Sequence, residues 1–381
     1  MNIRSYKTVQ DRREALQAAL GIKLPAIGTF LASEDTASTY NCENMIGFTA
    51  VPVGVAGPLL LKSEKKSYYI PLATTEGALV ASISRGCKAI TESGGADIVT
   101  QKIGITRAPV FVVDGIREGM AFIQWIEKNT DHIQKIVERT SSHLIYLGSK
   151  SWMNGRNISV RFAFDSMDAM GMNMATNATA EIVTYIEEKM GIKCVALSGN
   201  MCSDKKPSFL NFIEGRGQKV WADCLISDKI IVSVLKSSAQ QIFEVAQAKL
   251  SSGSIMAGTI GANAHIANAL SALFLATGQD IAHIAECSMG VTSVEKVENG
   301  LYISVYLPDM VVGTVGGGTT LATQKEALRI LGITGGNEGK NAKKLAGIIG
   351  AVVLAGELSL LASLSEGSLA ASHNRLGRGK K

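Results

Sequence analysis

The longest uncharged apolar run, Leu345 to Gly356, sets the first limit on what this chain can become. It is too short to cross a bilayer, and it closes on Glu357. It lies in a stretch, Asn341 to Leu369, that reads as mainly helical. The N-terminus, Met1 to Ser5, has no apolar signal core. The expectation is a soluble, cytoplasmic protein with no membrane partner. With 39 glycines, 46% apolar residues and few aromatics in 381 residues, the composition suggests a mixed α/β enzyme with many close backbone approaches. That length allows two or three domains. The net charge of +5 says little about partners, because Arg375, Arg378, Lys380 and Lys381 supply four of those charges at the very end. The nearly neutral remainder argues against a nucleic-acid surface. The six cysteines include no CxxC pair and read as reduced thiols.

Residues 8–20 read as an amphipathic helix and 24–41 as a polar connection. Residues 51–58, Val-Pro-Val-Gly-Val-Ala-Gly-Pro, read as a loop. Thr74 and Thr75 suit the cap of a helix whose first turn holds Glu76, with Leu79, Val80, Ile83 and Cys87 at helical spacing. Residues 109–193 look separable, in a βαβαβ-like order. It comprises a strand at 110–113, mostly helix over 119–147, a strand at 159–164, a helix opening at Asp168 and running to about Met190, and a strand at 193–197. No GxGxxG is present, so an ordinary Rossmann fingerprint is absent. Further on come a long helix over 258–276 stopped by Gly278, a strand at 301–307, and a loop over 311–320. The glycines of that loop, Gly313 and Gly316 to Gly318, let the backbone approach a ligand closely.

The run Leu197 to Pro207 carries two adjacent lysines, Lys205 and Lys206. Like charges side by side raise the folded-state energy unless anions surround them. A solvated turn is one reading. The strand that ends at Leu197 favours another, a strand-end seat for an anionic substrate and a developing oxyanion. Glu76 alone reads as a helix-start carboxylate rather than an acid, and His265 reads as readily as a structural histidine as a ligand contact. His132, His143 and His283 look structural or exposed. His283 and Glu286 share a helical spacing, but with no second ligand pair no metal is expected. Met170, Met172 and Met174 alternate as core packing does.

Several motifs occur together and in order. They are Glu43 to Gly47, Pro52 to Leu59, Thr74 to Gly77, Asp168 to Met174 (Asp-Ala-Met-Gly-Met-Asn-Met), Asp204 to Pro207, Asn263 to His265, Gly278 to Asp280, Gly313 to Thr319 and Gly356 to Leu360. Over about residues 40–373 they resemble the 3-hydroxy-3-methylglutaryl-coenzyme A reductase family, in the form of its class I branch without a membrane anchor.

That resemblance implies an α+β fold. Residues 43–107 and 198–373 form a large helix-centred substrate and dimerisation domain, and a small ferredoxin-like NAD(P)-binding domain, 108–197, is inserted in it. A segment, 1–42, precedes them and a basic tail, 374–381, follows. It also implies a four-electron reduction of hydroxymethylglutaryl-CoA to mevalonate and CoA with two nicotinamide hydrides, and a homodimer or dimer of dimers whose sites take Glu76 and Lys205 from different chains. By the same resemblance Lys205 stabilises the oxyanion, Glu76 protonates, Asp280 sits between them ordering both, and His373 protonates the departing thiolate from a mobile C-terminal segment. Arg107, Ser198, Asp204 and Lys206 hold the acyl group, with Lys249 and Asn268 beside them. Asn44, Ser82 and Arg85 lie on the CoA side. Asp168, Met170, Gly171, Met172, Asn173, Gly316 and Gly317 contact the cofactor. NADPH is the expected donor. NADH stays open because Ser141-Ser142 stands where eukaryotic members of the family carry Ser-Arg, the arginine that holds the 2′-phosphate. Two other readings are a CoA-dependent transferase or lyase without nicotinamide, and a silent binding protein. The 168–174 run argues against the first, and the intact set Glu76, Lys205, Asp280 and His373 against the second.

Overall fold

The computed structural model describes residues 5–367. Its centre is the apolar segment met first in the sequence. Helix α10 (Lys340–Ser365) is buried along almost its whole length, from Ala342 to Ser363. A helix this long and apolar could cross a bilayer. Here its faces are spent on protein. Helix α2 (Leu79–Glu92) packs against it so closely that a Cβ on Gly86 would lie 1.9 Å from the Ala355 carbonyl. On another side Gly350 abuts Val220. Each fully buried Leu or Ile along this interface contributes about 1.5–3 kcal/mol of transfer free energy.

The strands form two sheets. The hairpin β1 (Val53–Leu61) and β2 (Lys66–Ala73) is antiparallel. Residues 53–61 therefore belong to a strand where a loop is expected. The ladder tolerates Gly57 and Pro58 because the register shifts between Ala56 and Leu59, and the bulge takes up the residues that cannot pair. The second sheet has eight strands in the order β7-β4-β6-β3-β8-β10-β9, with β5 on β6. These are β3 (Asp97–Arg107), β4 (Val110–Val112), β5 (Ile145–Asn154), β6 (Asn157–Asp165), β7 (Lys193–Ala196), β8 (Arg216–Ser227), β9 (Val291–Val297) and β10 (Gly300–Met310). Strand β3 pairs with β8 over Asp97 to Gly104 and then with β6 over Ile105 to Arg107.

Helix α1 (Val9–Leu20) opens on a capping box between Thr8 and Asp11 and ends at left-handed Gly21. The mostly helical stretch expected over 119–147 is α3 (Ile116–Lys128) and α4 (Thr130–Thr140), and it ends four residues before β5. The helix expected from Asp168 is α5 (Met172–Met190), which starts at Gly171. After the short helix α6 (Phe209–Glu214) come α7 (Ala239–Ala246) and α8 (Ile266–Thr277). Gly278 stops α8 in a left-handed conformation, as its place in the sequence predicts. The start of α8 comes eight residues later than the sequence suggests, after left-handed Gly258 and Gly261 and a loop clamped by buried Glu357. The Glu357 carboxylate accepts from the backbones of Ala264 (2.6 Å) and His265 (2.7 Å) and from the Thr292 hydroxyl (2.6 Å). Helix α9 (Ala322–Leu331) completes the set.

Candidate active site

The loop 198–207 is strained. Asn200, Ser203 and Lys205 all take left-handed φ values, +65°, +50° and +59°, which cost a residue with a Cβ about 1 kcal/mol or more. Buried groups hold Lys205 there. Its backbone N–H donates to Glu286 Oε1 at 3.1 Å, and its ammonium lies 2.7 Å from Asp280 Oδ2. The ammonium is half-buried, with a side chain 39% exposed. Asp280 follows the stop of α8 and also accepts from Ala282 N. Burial pushes the Asp280 carboxyl up, but the hydrogen bond from Lys205 and the other donors outweigh it and hold the carboxyl below its ordinary value.

Behind this pair lies a buried polar cluster that the sequence does not announce. Arg216 is fully buried on β8 and donates to Glu286 (2.6 Å), Asp204 (2.9 Å) and Thr106 (3.1 Å). Glu286 is fully buried and takes a further hydrogen bond from His283 Nδ1. Burial opposes its ionisation, yet His283 and Arg216 bring its carboxyl down to about 2. Asn211 links Glu286 (3.2 Å) to Asp309 (2.7 Å) on β10. Burial and the adjacent Glu286 charge raise Asp309 well above the usual carboxylate range, so it is held neutral. His283 is thus buried in the network. Asp204, His283 and Glu286 gather potential metal-ligand atoms within 4.8 Å of one another, but the Arg216 guanidinium already sits on both carboxylates.

Arg107 and Ser198 meet at 3.2 Å, with Thr176 taking the other guanidinium nitrogens. Lys206 folds back on the Asp204 carbonyl at 3.0 Å. Lys249 is exposed on a wide helical turn, 247–253. Ser82 and Arg85 join α2 to α10, at Ser359 (3.0 and 3.1 Å), and Arg85 also lines an open recess with Lys88, Lys236 and Pro58. Asn44 occupies a left-handed turn near the N-terminal segment.

One expectation about Glu76 changes. It precedes α2, in a bend where its N–H donates to Thr74 Oγ1, so it is not a first-turn residue. Its carboxylate is held by Asn268 of α8, which donates to both oxygens at 3.0 and 3.1 Å. Asn268 thus supports Glu76 directly. Within one chain Glu76 stands apart from Asp280 and Lys205. Asn268 is in the first turn of α8 and Asp280 lies past its last, so the helix separates them by roughly 14 Å. His373 lies outside the described residues, as do Arg375 and the basic tail.

A cleft of about 470 Å³ adjoins Asp280. Ala169 to Met174, Gly313 and Val315 to Thr319 line it, with Gln279. The two backbone segments touch. Ala169 bridges Val315, and a Cβ on Gly313 would stand 2.5 Å from Met170 N. Gln279 clamps Gly313 in both directions at 2.9 Å. Helix α5 opens on Gly171 with no side-chain cap, leaving first-turn N–H groups for an anion. A Cβ on Gly316 or Gly317 would meet nothing within 4 Å, so that rim is open. Met170, Met172, Asn173 and Met174 line the cleft, although Met172 also backs onto Arg216. Asp168 does not line it. Its buried carboxylate is spent on the backbone of Gly339 (2.8 Å), Ala342 (2.9 Å) and Asn337, where it caps α10. Ser141, at the end of α4, contacts the Met174 sulfur at 3.6 Å and brings residues 141–142 to the cleft's edge.

Residues 8–378 match the family model described as hydroxymethylglutaryl-coenzyme A reductase. A 3-hydroxy-3-methylglutaryl-coenzyme A reductase of Pyrococcus horikoshii is 48% identical over 376 residues, covering 96% of this chain and 91% of that protein. The reductase of Methanocaldococcus jannaschii is 46% identical, with 96% and 92% covered. Among solved structures, the class II reductase of Streptococcus pneumoniae, bound to NADPH in open conformations, aligns with a TM-score of 0.70 at 19% identity. That alignment covers 95% of this chain and 99% of that one.

Proposed function

The chain belongs to the hydroxymethylglutaryl-coenzyme A reductase family, and on that premise we propose that it is a class I-type, cytoplasmic reductase that converts hydroxymethylglutaryl-CoA to mevalonate and CoA. The observation that carries this is the Lys205 ammonium, fixed at 2.7 Å on Asp280 and beside the cleft. A thioester carbonyl under hydride attack develops negative charge on oxygen. A cation already in place stabilises that charge by roughly 3–4 kcal/mol. Asp280 and the Glu286 bond to its backbone hold Lys205 for this task.

Arg107 with Ser198 and Lys206 form a group suited to the substrate's terminal carboxylate. Ser82, Arg85 and Asn44 take the CoA side, and Lys249 adds charge from the exposed turn. Glu76, steadied by Asn268, delivers a proton to the nascent alkoxide, and His373 delivers one to the CoA thiolate.

A nicotinamide cofactor fits the cleft, because glycine backbone and an uncapped helix start suit a pyrophosphate. Met170, Gly171, Met172, Asn173, Gly316 and Gly317 would hold it, and Asp168 shapes the cleft from behind. When bound, the cofactor supplies the hydrides. NADPH is the donor assigned, with Asn173 and the Ser141–Ser142 edge beside the α5 start.

The separation of Glu76 from Lys205 along α8 supports a homodimer in which each site takes Glu76 from the partner. Residues 43–107 and 198–373 then serve as the substrate and dimerisation unit, and 108–197 as the cofactor unit. The test is substrate-dependent oxidation of NADPH and, separately, NADH. Lys205→Ala should lower kcat about 100- to 1,000-fold with the far-ultraviolet circular dichroism unchanged. A near-normal rate would refute the role of Lys205. No oxidation of either cofactor by the unmodified chain would refute the reductase reading.

A further inference from the structure

The group behind Asp280 that has no assigned role is His283. It is fully buried, and its two ring nitrogens face different carboxylates. Nδ1 is bonded to Glu286, whose carboxylate is ionised, so the proton of that bond sits on Nδ1. Nε2 is buried with no hydrogen-bond partner, and it lies 3.7 Å from the same Asp280 oxygen that holds Lys205. A bare lone pair facing a carboxylate oxygen would be repelled by it. A proton there would be attracted.

The charges around the ring point the same way. The groups that face it are the carboxylates of Asp204 (4.0 Å from Nδ1), Asp280 and Glu286, with the cations Arg216 and Lys205 bonded to those carboxylates. Asp309, one hydrogen bond further on through Asn211, is held neutral. Three anions meet two cations around a ring that, with Glu286 and Arg216, is closed to water, where uncompensated charge is expensive; Asp204, Asp280 and Lys205 are partly open.

We infer that His283 is a positioning residue for the proposed reduction, carrying a proton on each ring nitrogen so that Nε2–H steadies Asp280 and thereby the Lys205 ammonium. Glu286 would then act at both ends of Lys205, accepting its backbone N–H directly and reaching its side chain through His283 and Asp280. This rests on the reductase reading for its consequence in turnover, though not for its geometry.

The test uses the full chain and pairs two substitutions with a spectrum. Asparagine can reproduce a donor near Nδ1 but cannot reach Asp280, whereas glutamine can place an amide donor near Nε2. His283→Asn should lower kcat on the order of 100-fold, as misplacing a reacting group does, with KM nearly unchanged. His283→Gln should recover most of that loss. Equal rates in both folded variants would overturn the proposal, as would a loss confined to KM. The spectrum is ¹⁵N-imidazole NMR of the unmodified protein near pH 7, with the His283 signals assigned by through-bond correlation. Two protonated nitrogens are expected, and a neutral ring with a bare Nε2 would overturn the inference even if neither variant folds. If the unmodified chain shows no reductase activity, the reductase reading fails while the NMR result still judges the His283–Asp280 contact.

Discussion

Asp309→Asn should stabilise this protein, and by more as the pH rises. Asp309 is fully buried, one of its oxygens has no partner, and the other accepts from Asn211 at 2.7 Å. Burial first, then the Glu286 charge, raise its carboxyl well above the ordinary 3.8. The folded chain therefore keeps a proton that the unfolded chain has released. In that window the folded state binds more protons than the unfolded state, so stability falls with rising pH by about 1.4 kcal/mol per unit. The fall ends where the folded carboxyl itself ionises. Asparagine has no proton to hold. Its oxygen can still accept from Asn211, and its amide takes the place of the unpartnered oxygen. For 381 residues the unfolding entropy is about 0.8 kcal/mol/K, so the melting temperatures of variant and parent should separate by about 1.7 °C per pH unit above pH 4.5 before levelling. Differential scanning fluorimetry from pH 4.5 to 9 reads this directly. Parallel curves would show that the native carboxyl is already ionised, and a variant less stable at every pH would refute the predicted stabilisation.

Three further outcomes follow from contacts already described. Gly86→Ala puts a methyl group 1.9 Å from the Ala355 carbonyl, so α2 and α10 must part; a loss of about 3 kcal/mol or more is expected, read as a lower melting temperature. Asn268→Ala frees the Glu76 carboxylate and should lower kcat about tenfold or more with little change in KM for the acyl substrate. A rise in KM alone would return Asn268 to the substrate-contact role that the sequence suggests. Gly313→Ala drives a Cβ to within 2.5 Å of Met170 N and should weaken nicotinamide binding in a fluorescence titration. Unchanged affinity would remove that loop from the cofactor site.

What the sequence discloses of this fold is its locally encoded part. Helices α5 and α10 and strands β4, β6, β7 and β10 stand close to where periodicity and glycine stops put them. Strand β8 escapes notice because two of its inward positions carry Arg216 and Gln218, 0% and 3% exposed, which break the apolar alternation that marks a strand. Strand β1 is masked by a Gly-Pro pair that the bulge absorbs. The same division runs through the site. Lys205 and Asp280 are legible because each sits in a compact, chemically unusual motif. Arg216, Asn211, Glu286 and Asp309 are not, since the cluster they form draws on three separated stretches, residues 211–216, 286 and 309. A buried charge at an inward strand position is the one local hint the chain offers.

Strand β3 changes partners at Gly104, where φ is +93° and the ladder slips. Up to that residue it is knitted to β8, and beyond it to β6, with Arg107 as its last residue. The inserted unit is therefore no bead on a flexible tether. It shares a continuous ribbon with its neighbour, and the pliable link in that ribbon is three residues from the guanidinium that grips Ser198. A rotation of the β6 side about that link would carry Arg107 with it, as a lever carries its short arm, so the tilt of that sheet half and the Arg107–Ser198 contact are mechanically geared.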